Sequence, residues 1–335
     1  MAYVDRPLAP PSPAYQLATA GYAVIPVFAP AQVAAKRREL DAALRTFPEF
    51  AAPPSLEDAT PLVGGGFGAV CTPSSFHAPW VREMRRVALE TVLSRRAIPV
   101  PDGSYLSQAF DRLMVRKPSQ IPTTETWHQD TAGRPLPRGA ALYGGWIALD
   151  DQVFSCIPGT QLAVNPGVGF AKVKVDSRDR HVVSVPAGYM LIFNETLMHE
   201  VVGRKHPGTQ ARLFTGFCVL PTPDPLFPLG PIIENQAVAP LKSGQMPAML
   251  PKMYINQLRV NEGRINALVS ILKPVATSEH RIGPKSKYKG GQTVRVPGNG
   301  TRPMASLKEM GLPMYPPYSA ADIWALTPQR DPYAV

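Results

Sequence analysis

Proline sets the limits on what this chain can fold into. Its 335 residues include 39 prolines and 26 glycines spread along the length. Each proline fixes φ and removes a backbone donor, so long uninterrupted helices are excluded from most of the chain. Short strands and a few short helices are the expected products, and no repeat of fixed period organises them. At 44% hydrophobic residues the chain can still bury a core. No stretch approaches the roughly eighteen consecutive apolar residues that a membrane span needs.

Local patterns divide the chain into four parts. Residues 1–15, with "PLAPPSPAY", are expected as an extended arm. Residues 16–103 form a helical N-terminal part in which "GYAVIPVF" reads as a strand. The helix "PAQVAAKRRELDAALRTF" follows, opened by Pro30 and given an apolar face by Val33, Leu40, Leu44 and Phe47. A second helix, "PWVREMRRVALETVLSRR", carries Trp80, Met84, Val87 and Thr91 on one side and arginines on the other. From 104 to 220 the runs "YLSQAFDRLMVRK", "AALYGGWIAL", "VGFAKVKV", "HVVSVPAGYMLIF" and "ARLFTGFCVL" predict a β barrel or sandwich.

Residues 221–335 are a basic, Pro-rich C-terminal extension with one or two helices. One helix is expected around "KMYINQLRVNEGRINALVSILK", and Ser319 should cap another near the end.

Charge and cysteine content narrow the partners. The net charge is +10, and the extension holds 13 basic against 7 acidic residues. Such an excess suits an anionic small molecule or nucleic acid as well as plain solubility, but the extension lacks the aromatic interleaving of a base-stacking platform. Cys71, Cys156 and Cys218 are odd in number and far apart, which predicts reduced thiols rather than disulfides or zinc. The first residues lack a secretory signal pattern and the last lack a peroxisomal address, so an intracellular, cytoplasmic setting is expected.

The chemistry concentrates at "ETWHQDTAGR", where His128 and Asp130 stand two positions apart. On an extended strand such residues point to the same side and can offer a nitrogen and an oxygen to one metal ion. Alone, the pair reads as part of a polar loop, and a third ligand is needed. Among the other histidines, His77 and His280 lie outside the β-rich region, His206 sits in the turn-like "RKHPG", and His181 follows a charged loop. His199 follows the apolar run "PAGYMLIFNETLM", the rigid support that a ligand needs.

If residues 199–212 form a hairpin, Arg212 falls opposite His199, on one face with Phe214 and Cys218. An arginine there calls for an anion, because an unpaired buried charge is costly. Two histidines and one carboxylate, leaving positions open, form the arrangement used for non-haem Fe(II) oxygen chemistry. Each residue also has a structural reading: His128 as a loop cap, Asp130 paired with Arg134 or Arg138, His199 as a core histidine, and Arg212 bridged to Glu195 or Glu200.

Six segments in order, "GYAVIPVFAPAQVAAKRREL", "RLMVRKP", "WHQD", "GGWIALDD", "FSCIPGTQ" and "VPAGYMLIFNETLMHEVV", carry a resemblance. Over about residues 15–220 the chain resembles the phytanoyl-CoA dioxygenase family of Fe(II)- and 2-oxoglutarate-dependent oxygenases. Tyr189 stands where the family strand has aspartate, and Gln161 where its turn ends in histidine. The resemblance implies a mainly β fold, with a double-stranded β-helix (jelly-roll) core, N-terminal helices and a C-terminal extension. It also implies iron held by His128, Asp130 and His199, with 2-oxoglutarate and O2 as cosubstrates. Arg212 would make a forked pair with the distal carboxylate of 2-oxoglutarate, a geometry that suits arginine better than lysine. Lys117 and Trp146 are further candidates for contacting cosubstrate or substrate.

The implied reaction is hydroxylation of a small-molecule substrate with release of succinate and CO2. A carboxylate at Asp130 argues against halogenation, for which relatives carry a small residue. Two other classes remain at this stage. One is a non-catalytic structural or interaction protein whose basic extension docks to a partner or nucleic acid; the other is a metal-binding isomerase or storage protein.

Overall fold

The computed structural model describes residues 11–47, 68–69, 78–116, 127–130, 136, 138–162, 171–172, 177–200, 202, 207–222 and 318–319. The predicted helix around residues 252–273, the basic segment 281–302 and Lys117 lie outside the described residues.

The first element corrects an expectation. Pro13–Ala20 is a helix, α1, where residues 13–15 are expected to be extended. Ser12 accepts from the backbone N–H of Tyr15, Pro13 needs no N–H at the helix start, and Gly21 closes it at φ +84°. The prolines that suggest an arm in fact act as a helix start signal.

Strand β1 (Tyr22–Pro26) follows, then α2 (Pro30–Leu44), whose Leu40 and Leu44 are buried with Phe47 just beyond it. A short strand, β2 (Gly68–Ala69), precedes α3 (Pro79–Ser94). The apolar face of α3 is rotated from the expected one. It buries Trp80, Val81, Met84, Ala88, Leu89, Val92 and Leu93, leaving Val87 only partly buried. Arg85, expected among the solvent-facing arginines, is buried as well. Its own carbonyl oxygen accepts from Gln108, tying this turn to the sheet below.

The remaining strands are β3 (Tyr105–Arg116), β4 (His128–Gln129), β5 (Ala141–Ala148), β6 (Gln152–Cys156), β7 (Ala171–Lys172), β8 (His181–Val185), β9 (Tyr189–Asn194), β10 (His199–Glu200), β11 (Gln210–Leu220) and β12 (Tyr318–Ser319). Ser319 lies in a strand paired with β3, and the short helix expected after it lies outside the described residues. Strand β6 only ends in "FSCIPGTQ", a run too broken by turn residues to read as a strand from sequence.

These strands form two antiparallel sheets. The larger has the order β1-β9-β5-β11-β3-β12, with β2 also on β3, and the smaller has the order β7-β4-β10-β6-β8. Alternation along each strand divides the side chains of the larger sheet between two cores. Met190, Ile192, Ile147, Leu213 and Phe217 join α2 and α3 in one core. Leu191, Phe193, Trp146, Met114 and Phe214 face the other way, meeting Phe154, Cys156, Val183 and Val185 of the smaller sheet. The molecule is thus a jelly-roll of two facing sheets with helices covering the outer face of the larger one. Among the described residues no helix is long and apolar enough to cross a membrane.

Candidate metal centre

Strand β10 is only two residues long, yet it is hydrogen-bonded on both sides. His199 pairs with His128 of β4 on one flank and with Cys156 of β6 on the other. This register brings the two imidazoles together, with ring centroids 4.2 Å apart and planes tilted by 56°. Asp130 follows one residue beyond β4, and its backbone N–H donates to Glu195 O at 2.9 Å. Its Oδ1 lies 3.6 Å from His128 Nε2, and its Oδ2 lies 3.6 Å from His199 Nε2. The three ligand atoms lie within 4.8 Å of one another, a group able to hold one metal ion.

The surroundings orient His199 in particular. Its Nδ1 lies 2.9 Å from Leu197 O, so it donates there and leaves the lone pair on Nε2, the atom facing Asp130. Burial, the largest influence, pushes the pKa of His199 below its ordinary value of 6.5. His128 and Arg212 push the same way, while Asp130 and the bond to Leu197 oppose them. A neutral imidazole with a free Nε2 is the form that binds a metal. Phe193 and Phe154 stack near the ring at centroid distances of 4.9 and 5.6 Å, closing one side to water.

The loop before His199 is pinned by side chains that the sequence reading passed over. Gln129, between the two candidate ligands and fully buried, donates from Nε2 to Thr196 O at 2.6 Å. Thr160 Oγ1 accepts from Met198 N at 3.0 Å and donates to Ile157 O at 2.7 Å. On the other face of β10, Glu200 accepts from Ser155 Oγ at 2.8 Å and pairs with Arg180 at 3.1 Å. Period-two alternation was the available signal for Gln129 and Glu200, since each neighbours a candidate ligand and must face away from it.

The expected hairpin from 199 to 212 does not form. Strand β10 belongs to the smaller sheet, whereas Arg212 lies on β11 of the larger one, opposite Ala148 of β5 and Met114 of β3. The chain crosses between sheets, so Arg212 approaches from the facing wall. It shares the inward face with Phe214, as alternation requires. Its guanidinium carbon lies 4.5 Å from the centre of the Trp146 ring. That indole is buried, and among the described residues its Nε1–H has no hydrogen-bond partner. Trp146 in turn meets Phe154 and Phe193 edge-on.

The donor set fits iron. Two imidazoles and a carboxylate form a borderline nitrogen and oxygen environment on one side of an ion, as non-haem Fe(II) oxygenases use.

Among solved structures, the chain is similar to the non-haem α-ketoglutarate-dependent carbocyclase SnoK of nogalamycin biosynthesis at 18% identity. That match covers 61% of this chain and 82% of the other, with a TM-score of 0.42. It is also similar to HygX from Streptomyces hygroscopicus with nickel and 2-oxoglutarate bound, at 20% identity over 62% of this chain and 85% of the other, TM-score 0.42. EvdO2 from Micromonospora carbonacea var. aurantiaca, complexed with 2-oxoglutarate, matches at 16% identity over 63% and 92%, TM-score 0.43. No curated protein matches the chain. The family model for phytanoyl-CoA dioxygenase (PhyH) matches residues 17–201, more than half of the chain, from within α1 to the end of β10. With that match, this chain belongs to the phytanoyl-CoA dioxygenase family of Fe(II)- and 2-oxoglutarate-dependent oxygenases.

Proposed function

We propose that this protein hydroxylates a small-molecule substrate, with His128, Asp130 and His199 as the iron ligands and Arg212 as the anchor for 2-oxoglutarate. The observation that carries the reading is the carboxylate of Asp130, with one oxygen turned to each histidine Nε2. When bound, Fe(II) supplies the oxidation: dioxygen is consumed, 2-oxoglutarate loses CO2 to become succinate, and one oxygen atom enters the substrate.

The chain's own residues supply position and environment. Leu197 O fixes the His199 tautomer, and the Asp130 carboxylate supplies the oxygen ligand. Arg212 offers a planar fork to the distal carboxylate of 2-oxoglutarate, and the Trp146 ring beneath it holds that fork flat. Trp146 Nε1–H is a donor at the same wall, available to cosubstrate or substrate. The aromatic wall of Phe154, Phe193 and Trp146 keeps water from the reacting side.

Asp130 also favours hydroxylation over halogenation, because a carboxylate ligand takes the position that a halide would need. The net charge of +10 supports an anionic substrate. Incubation with 2-oxoglutarate, labelled dioxygen, chloride and a panel of anionic and neutral metabolites tests the reading by mass spectrometry. The expected product is a labelled alcohol formed with succinate. A chlorinated product, or succinate-free conversion, would contradict it.

A further inference from the structure

Arg212 is the third residue of β11, close to the end of its ladder with β5, where strand pairing alone holds a backbone weakly. The β5 ladder ends at Arg212↔Ala148, leaving Ala211 without a strand partner on that side. Side chains replace it. Asp150 Oδ2 accepts from Ala211 N at 3.2 Å, and Gln152 Nε2 donates to Ala211 O at 3.3 Å. Both polar groups of the residue before Arg212 are thus engaged, as a continuing strand would have engaged them.

Asp150 is itself held from the helical layer. Arg37 of α2 donates from Nη1 to both carboxylate oxygens, at 2.6 and 2.7 Å, and from Nη2 to Thr209 O. Its Nε lies 3.4 Å from Asp41 Oδ1 on the same helix. One guanidinium therefore bridges α2, the β5–β6 turn and the entry to β11. The side chains of Arg37 and Asp150 are 23% and 18% exposed, sheltered enough for these charge-assisted bonds to hold geometry. Ala211 faces the helical core and Arg212 the opposite side, so the bridge acts through the backbone.

We propose that Arg37 and Asp150 are positioning residues for Arg212, setting the affinity for 2-oxoglutarate without touching it. The proposal rests on the reading that Arg212 binds the distal carboxylate. Arginine is required at position 37 because lysine offers a point charge and cannot serve both carboxylate oxygens and a carbonyl from one plane.

The test is an anaerobic titration of 2-oxoglutarate into Fe(II)-loaded protein, read by the visible charge-transfer band. It compares wild type with Arg37→Gln, Arg37→Lys, Asp150→Asn, Arg212→Ala and Leu44→Ala, the last a core change on the same helix. We expect Fe(II) affinity to stay at the wild-type level in the Arg37 and Asp150 variants. Their 2-oxoglutarate dissociation constants should rise roughly tenfold, as expected for loss of a charge-assisted hydrogen bond, with Arg37→Lys between them and wild type. Leu44→Ala should lower stability and leave cosubstrate affinity unchanged. If Arg37→Gln binds 2-oxoglutarate like wild type while Arg212→Ala is weakened, the positioning role is overturned and the Arg212 reading stands. Normal binding by Arg212→Ala would overturn both. Equal weakening by Leu44→Ala would reduce the effect to general stability and overturn the proposal. Should Arg37→Gln fail to fold, Arg37→Lys carries the same comparison.

Discussion

At the scale of single residues, burial selects protonation states. His199 is kept neutral by its burial and oriented by Leu197 O, so a nitrogen lone pair faces Asp130. Two other groups are buried as neutral acids, Cys156 beside His199 and Tyr143 in the core under the helices. Burial pushes the Cys156 thiol and the Tyr143 phenol up to about 12, from ordinary values of 9.0 and 10.0. The folded protein therefore keeps protons that the unfolded chain releases. Stability from these groups is full below pH 9 and is lost as pH rises from there toward 12. Each group contributes a slope of up to about 1.4 kcal/mol per pH unit. Urea unfolding between pH 8 and 11 should show this decline, and Tyr143→Phe should remove the part that begins near pH 10. An unchanged slope in that variant would place the alkaline sensitivity elsewhere.

The three candidate ligands were legible in the sequence for a simple reason. Few residue types can bind a metal, and few of the histidines follow a rigid apolar run. Leu197 O was not legible, because a backbone acceptor leaves no mark in side-chain identity.

At the scale of elements, β10 owes its place to neighbours on both edges and to the turn preceding it. Thr160 holds that turn through two bonds, one to Ile157 O and one from Met198 N. Thr160→Val keeps the shape but leaves Met198 N without this acceptor. A loss of about 1–2 kcal/mol in urea unfolding is expected, together with weaker iron binding. Unchanged stability and iron affinity would show that the turn is set by backbone bonds alone.

The strands were largely readable because alternation against one buried face is a strong pattern: "ARLFTGFCVL" contains nearly all of β11, and "YLSQAFDRLMVRK" contains β3. The sheet assignment was not readable. Two consecutive strands separated by a turn predict a hairpin, but β10 and β11 enter different sheets, and the sequence holds no local mark of that crossing. On α3 the buried stripe is rotated from the expected one and takes in Arg85, whose charge argued for a solvent-facing side.

At the scale of the whole molecule, the seven-stranded sheet separates two environments. Its outer face packs against helices and carries structural load. Its inner face, with the smaller sheet, encloses the candidate ligands, Trp146 and Arg212. The route from sequence to function runs through this partition: alternation decides which side chains of one strand stabilise the fold and which face the chemistry. The Arg37–Asp150 bridge links the two environments.

The central claim is that one iron site built from His128, Asp130 and His199 accepts 2-oxoglutarate. The most direct test is anaerobic Fe(II) titration of wild type and Asp130→Ala, with and without 2-oxoglutarate, following bound iron and the visible charge-transfer band of the chelate. The account predicts one iron per chain in wild type, a band only when 2-oxoglutarate is present, and iron affinity reduced at least roughly a hundredfold in Asp130→Ala. Wild-type iron binding without the band, or a band of full strength in Asp130→Ala, would contradict it.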